Sequence, residues 1–443
     1  MKISYSKSPI ILSILPVFFF ITGSLSLFRF PLPDHIDTSY LMLLSALYIV
    51  SSYLFLMDSI SVLISLACTL NVILGILFLI DLFKIEYSPL TILSIVMSVA
   101  FSALINTLLL FSIRESKKSW ENDAKSAVSK AMKINFWLVI LFFAAMSLLF
   151  SLFFLKYSIF TSRSFIWMIA VVIAVPVINC MMLLPFFGFF GLGHLNEERM
   201  QDDLEPAFSE KLLVQFNARI EQTATVLAWI VSPIIYNKII YFSITLLALI
   251  LISLFIPYFL DIISEGNSGI IILTAAVLYF LLVVLRYQSY VLALAPVLAI
   301  ILNFLFISAV CKAISWNCKL IMDATFLCSI AVTVIGIYFQ TDTAIHYFRK
   351  SSMIKDGILN ATAKSLYVVF SAACVLIFVM LSSVYFTAAV GSVSYQELIL
   401  SGTIISASSF LVLFPAPAFL CTFFSLDQYI TKPRKKKIRS IYL

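Results

Sequence analysis

The sequence predicts an all-α polytopic membrane protein of about 12 transmembrane helices, arranged as two parallel six-helix repeats with both termini in the cytoplasm. Three observations carry this. The 443 residues are 62% hydrophobic and only 12% charged, with a mean hydropathy of +1.08, which leaves too little polar surface for a soluble globule. The apolar runs are long and do not alternate, so the backbone must satisfy itself in helices rather than in barrel strands. Cations, finally, fall almost entirely on one side of the alternating segments.

Runs of spanning length fall near 9–28, 39–57, 60–82, 89–112, 134–155 and 165–190, and again near 239–260, 269–285, 290–311, 321–341, 365–389 and 398–424. The first follows Lys2 and Lys7 as a secretory signal would, with Ser-Leu-Ser before Leu27; it is read as a retained helix because its removal breaks the six-plus-six count. With a cytoplasmic N-terminus, all but six of the 29 Lys and Arg lie inside, the exceptions being Arg29, Lys84, Lys156, Arg163, Lys312 and Lys319. The tail, TKPRKKKIRS, is a polybasic topology anchor beside the membrane.

This divides the chain into a first six-helix repeat (1–192), a cytoplasmic amphipathic connector (193–238), a second repeat (239–425) and a basic cytoplasmic tail (426–443). The connector opens with Glu197, Glu198, Asp202, Asp203 and Glu205. It continues with Leu212, Leu213, Phe216, Ile220, Val226, Leu227 and Ile230 at helical spacing, as a helix lying on the membrane face does. The repeats agree in detail. In each, the link after the fourth span is basic and rich in Ser and Ala, and the sixth span ends in a proline-bearing apolar run, at Pro185 and at Pro415 with Pro417. Two sixes that both start inside are related by an axis along the membrane normal, and functional sites gather where they meet.

Chemistry is sparse. Asp342 and His346 stand four residues apart at the end of the tenth span, sharing a helix face on which a carboxylate can accept a hydrogen bond from an imidazole; whether the apolar run still surrounds them is open at this point. A buried acid is driven toward its neutral form and a cationic neighbour toward its charged form, so alternation between such surroundings moves a proton. A proton crossing 100 mV carries about 2.3 kcal/mol. Ser371 in the eleventh span is a further relay candidate, while Ala372, Ala373, Cys374 and Gly336 suit close helix packing. Pro296 reads as a kink.

The seven cysteines sit mostly inside apolar runs, and only Cys311 and Cys318, flanking an external turn, are placed to pair. Three histidines without Cys/His clustering make no metal site, and no cofactor is expected. Phosphate-binding glycine loops, an activated serine and a basic aromatic groove are all missing from the sequence, so neither an enzyme nor a nucleic-acid binder is expected.

The last third, from ALAPVLAIILNF through DTAIHYFRK to LVLFPAPAFL, resembles the membrane core of the resistance-nodulation-division (RND) superfamily, and within it the branch of mycobacterial large membrane proteins (MMPL) and predicted lipid exporters. Asp342, Ala344, Ile345 and His346 match that branch's Asp-aromatic-Ala-Ile-His pattern, and Pro415 with Ala416 its Leu-Pro-Ala ending. The resemblance implies a transporter or exporter of a hydrophobic or lipid-like substrate in a bacterial cytoplasmic (inner) membrane, driven by protons through acids in the fourth and tenth spans. Two departures qualify it. The links 29–38 and 261–269 are too short for the extracytoplasmic domains that the family inserts there, so a separate periplasmic or membrane protein becomes the expected partner, beside membrane lipid, with homo-oligomerisation left open. Alignment on the basic links puts Ser102 opposite Asp342 and Asn106 opposite His346, so the first repeat offers no acid. Matching Asn317 to the family's asparagine at the external turn moves the relay position to Thr333. The alternative is a non-transporting, RND-derived scaffold or partner-binding subunit whose proton relay has been lost.

Overall fold

The computed structural model describes residues 59–83, 89–119, 135–146, 175–179, 208–264, 279–314, 319–351, 354–388 and 395–426, with residues 21, 128, 131, 132 and 277 singly. Among the described residues every regular element is a helix and no strand forms. This is the outcome that apolar segments dictate, since each backbone donor in lipid must find its acceptor within its own segment.

The helices are α1 (Ser59–Phe83), α2 (Pro89–Ser119), α3 (Asn135–Met146), α4 (Phe208–Tyr236), α5 (Lys238–Ser264), α6 (Tyr290–Ile314), α7 (Lys319–Ser351), α8 (Ile354–Ala388), α9 (Tyr395–Leu413) and α10 (Pro415–Leu426). A further helical stretch covers residues 279–287. Tyr290–Ile307, Leu327–Phe348 and Ile354–Cys374 are each long and apolar enough to cross a membrane, and α4 with α5 passes the same test as one broken span. The chain is a multi-pass membrane protein.

α7 is the hub of the packing, with α8, α9, α6 and α2 all against it. On the other side, α2 packs on α1 and stacks Phe101 edge-on against Phe142 of α3 at 5.3 Å, so α2 is the element that ties the early helices to α7 and α8. Asn135 fastens the start of α3 to α2 by donating to Ser112 Oγ at 2.6 Å.

Three local features depart from a reading by hydropathy alone. The basic segment after the tenth span is helical rather than a loop: α7 runs on to Ser351 and α8 begins at Ile354, where Gly357 lets the two helices close up. A Cβ there would stand 3.2 Å from Tyr347 Cβ and 3.3 Å from the Ala344 carbonyl. The twelfth apolar run is two helices, α9 and α10, broken at Phe414. Pro415 and Pro417 cannot continue the preceding turn but fit the first turn of a new helix.

The third is the elbow between α4 and α5, bent by 88°. Asn237 makes it by accepting the Ile239 N–H on its side-chain oxygen at 3.0 Å, a helix cap that starts α5. α4 itself carries two apolar surfaces. Leu227, Val231 and Ile235 are buried, in the helix that packs on α8 and α10, whereas Val226, Trp229 and Ile230 point outward, Trp229 being 78% exposed.

Candidate functional site

The site follows from what α7 must satisfy. Its sequence places Thr325, Ser329, Thr333, Gln340 and Thr341 among apolar neighbours, and all five are buried. A buried hydroxyl or amide without a partner costs about 1–3 kcal/mol; Thr341 meets this within α7, donating to the Ile337 carbonyl at 2.7 Å, while others turn to neighbouring helices. The neighbours answer at successive levels. Thr325 Oγ1 donates to Ser401 Oγ of α9 at 2.7 Å. Asn303 of α6 donates through Nδ2 to Thr333 Oγ1 and, at 3.1 Å, to the Ser329 carbonyl. Tyr338 and Tyr279 meet hydroxyl to hydroxyl. Gln340 Nε2 donates to Ser365 Oγ of α8 at 2.9 Å. From Thr325 to Asp342 these polar levels rise about 25 Å along α7, the depth of a bilayer core, and face different neighbours in turn.

The last level is charged. Arg286, at the end of the helical stretch 279–287, donates through its guanidinium to Asp342 Oδ2 at 2.7 Å, with the two side chains 25% and 22% exposed. Asp342 lies inside the membrane-crossing stretch Leu327–Phe348, in its last two turns. Protonating it would strip this counter-charge from a guanidinium that is three-quarters buried.

The expected site residues thus separate into levels. Thr333 is buried mid-span, nine residues before Asp342 and so about 13 Å below it along the helix axis. His346 lies a turn beyond Asp342, is exposed, and sets its ring edge-on to Tyr347. In α2, Ser102 and Asn106 are both fully buried and bonded to each other, Asn106 Nδ2 donating to Ser102 Oγ at 3.3 Å. The Ser371 side chain, the Cys311 side chain, Cys318, the connector acids and the basic tail lie outside the described residues.

Among the described residues the fully buried polar set consists of Ser, Thr, Asn and Gln, and contains no carboxylate or cation. No three of their His, Cys, Asp and Glu side chains come together as a metal site. Asn303 and Arg286 are two polar partners of α7 that reading the sequence missed. Each is joined to α7 from another helix, and only the isolation of Arg286 as the sole cation of its short link hinted at it.

No family profile matches the sequence, and no curated protein matches it. Solved structures do match in fold. SecDF, a translocon-associated membrane protein from Thermus thermophilus, aligns over 92% of this chain with a TM-score of 0.56 and 11% identity. SecDF in its super-membrane-facing form aligns over 94% with a TM-score of 0.50 and 13% identity. The hedgehog release protein Disp from the water bear Hypsibius dujardini aligns over 93% at a TM-score of 0.43 and 10% identity, and across 70% of its own chain. This chain spans 62% of the length of each SecDF chain. What is shared with SecDF is the fold.

Proposed function

We propose that this chain is an RND/MMPL-like transporter or exporter of a hydrophobic or lipid-like substrate in a bacterial cytoplasmic (inner) membrane, and not an enzyme. The observation that supports it is the series of buried polar side chains along α7, met by successive neighbouring helices across the membrane-crossing stretch. Polar side chains are expensive at that depth and are retained where something passes or moves. The short links 29–38 and 261–269 assign any periplasmic handling of substrate to a separate protein.

In this reading Asp342 couples transport to protons by leaving Arg286 when protonated and returning when not. The test uses the purified full chain in proteoliposomes with a fluorescent phospholipid as the probe and an imposed pH gradient. Gradient-dependent movement of the probe, abolished by Asp342→Asn, is the expected result. Movement that Asp342→Asn leaves unchanged removes the coupling role.

A second reading has its own support. The Arg286–Asp342 pair is already neutralised and the buried polar set carries no charge, which suits an RND-derived scaffold or partner-binding subunit that holds its shape without a proton cycle. Failure of the wild-type chain to move the probe under any gradient, together with retention of a co-purifying membrane partner by Asp342→Asn, is the outcome that favours it.

A further inference from the structure

Where α6 crosses α7, two buried polar atoms stand out. Asn303 spends both of its amide hydrogens on α7, one on Thr333 Oγ1 and one on the Ser329 carbonyl, yet its own Oδ1 receives no hydrogen bond. The Ser329 hydroxyl, on the residue whose carbonyl Asn303 has just taken, has no protein partner either. Both residues are fully buried, and both lie inside stretches that cross the membrane, Tyr290–Ile307 and Leu327–Phe348. An acceptor and a hydroxyl left over on two residues already bonded to one another specify a third molecule that can donate to one and accept from the other.

We propose that Asn303 and Ser329 hold a buried water between α6 and α7, about one turn below Thr333. The water donates to Asn303 Oδ1 and accepts from Ser329 Oγ, which meets the two-to-four partner requirement of an internal water. A metal cation is the poorer fit. Hard cations gather six or more oxygens, usually with a carboxylate among them, whereas Thr333 Oγ1 and the Ser329 carbonyl already receive the Asn303 amide, and Thr333 donates to that same carbonyl at 3.2 Å. The site does not depend on the chain being a transporter; a scaffold has the same two atoms to satisfy.

Its consequence is local and specific. The α6–α7 contact becomes a hydrated one in a membrane interior, able to slide by exchanging a water bond for a direct one, where a dry apolar contact has to open a void.

Water-edited solid-state NMR on the isotopically labelled full chain in lipid tests this directly. Magnetisation from water is expected to reach the Asn303 and Ser329 side chains faster than the buried apolar neighbours Ile330 and Val332. Equal build-up at all four overturns the proposal. In Ser329→Ala, which removes one of the two partners while leaving the Asn303 amide bonds in place, transfer to Asn303 is expected to fall at least twofold. Transfer that persists undiminished takes Ser329 out of the site and overturns the bridging geometry.

Discussion

Arg286 and Asp342 meet 56 residues apart in the chain and 2.7 Å apart in space. Each is partly shielded, so the pair stands between the weak surface case and the costly buried one. Asp342→Asn or Arg286→Gln alone is expected to cost about 1–3 kcal/mol, and the double substitution less than the sum, because the second change removes the stranded charge left by the first. Thermal unfolding of the four proteins in one detergent checks the sign of that coupling. Asp342 was legible from the sequence because an acid at the end of an apolar run is conspicuous. Its partner was not, since spacing along one helix speaks for neighbours such as His346 and is silent about a cation on another. Thr333 illustrates the same limit: an alignment pointed to its level in the membrane, while the group that engages it, Asn303, belongs to α6.

At the scale of elements, the turn between residues 279–287 and α6 is two residues long, and Gln288 takes it with a φ of 53°, in the left-handed region where a side chain is crowded. Ser289 then caps α6 by accepting the Leu292 N–H on its hydroxyl at 3.0 Å. Gln288→Gly is expected to stabilise by about 0.5–1 kcal/mol and Ser289→Ala to destabilise by about 1 kcal/mol, opposite shifts from adjacent positions in the same unfolding assay. At the α7–α8 approach, Gly357→Val has to push against backbone as well as side chain, and a loss of about 1–3 kcal/mol is expected by the same measurement. The apolar runs near 60–82, 89–112, 239–260, 290–311 and 321–341 coincide with α1, α2, α5, α6 and α7. Hydropathy missed the helical continuation to Ser351 and the early start at Ile354, because a transfer scale records preference for lipid, whereas a helix propagates through Lys and Arg as readily as through Leu. The break at Phe414 was signalled by its two prolines, yet an apolar count runs straight through them.

At the scale of the whole molecule, the helical membrane fold expected from the apolar runs is one shared with SecDF, while span count, sidedness and the repeat relation rest on the sequence pattern. The connector shows why a one-stripe picture of an amphipathic helix fell short. Val226, Leu227 and Ile230 share apolar character, but only Leu227 is turned inward, with Val231 and Ile235, and the others keep company with Trp229 outside. A tryptophan so exposed beside apolar side chains belongs at the lipid boundary. In liposomes containing lipid brominated near the headgroup, the quenched share of fluorescence is therefore expected to fall in Trp229→Phe. An unchanged share places that face in water.

The elbow of α4 and α5 has a mechanical corollary. Lys355 of α8 donates to the Tyr236 carbonyl at 3.1 Å and lies over its ring, and Asp356 accepts from the Tyr236 hydroxyl, so the bend is latched to the helix that leaves α7. A tilt of the hairpin made by α7 and α8 then has to carry the elbow with it, so α4 and α5 move as that hairpin moves.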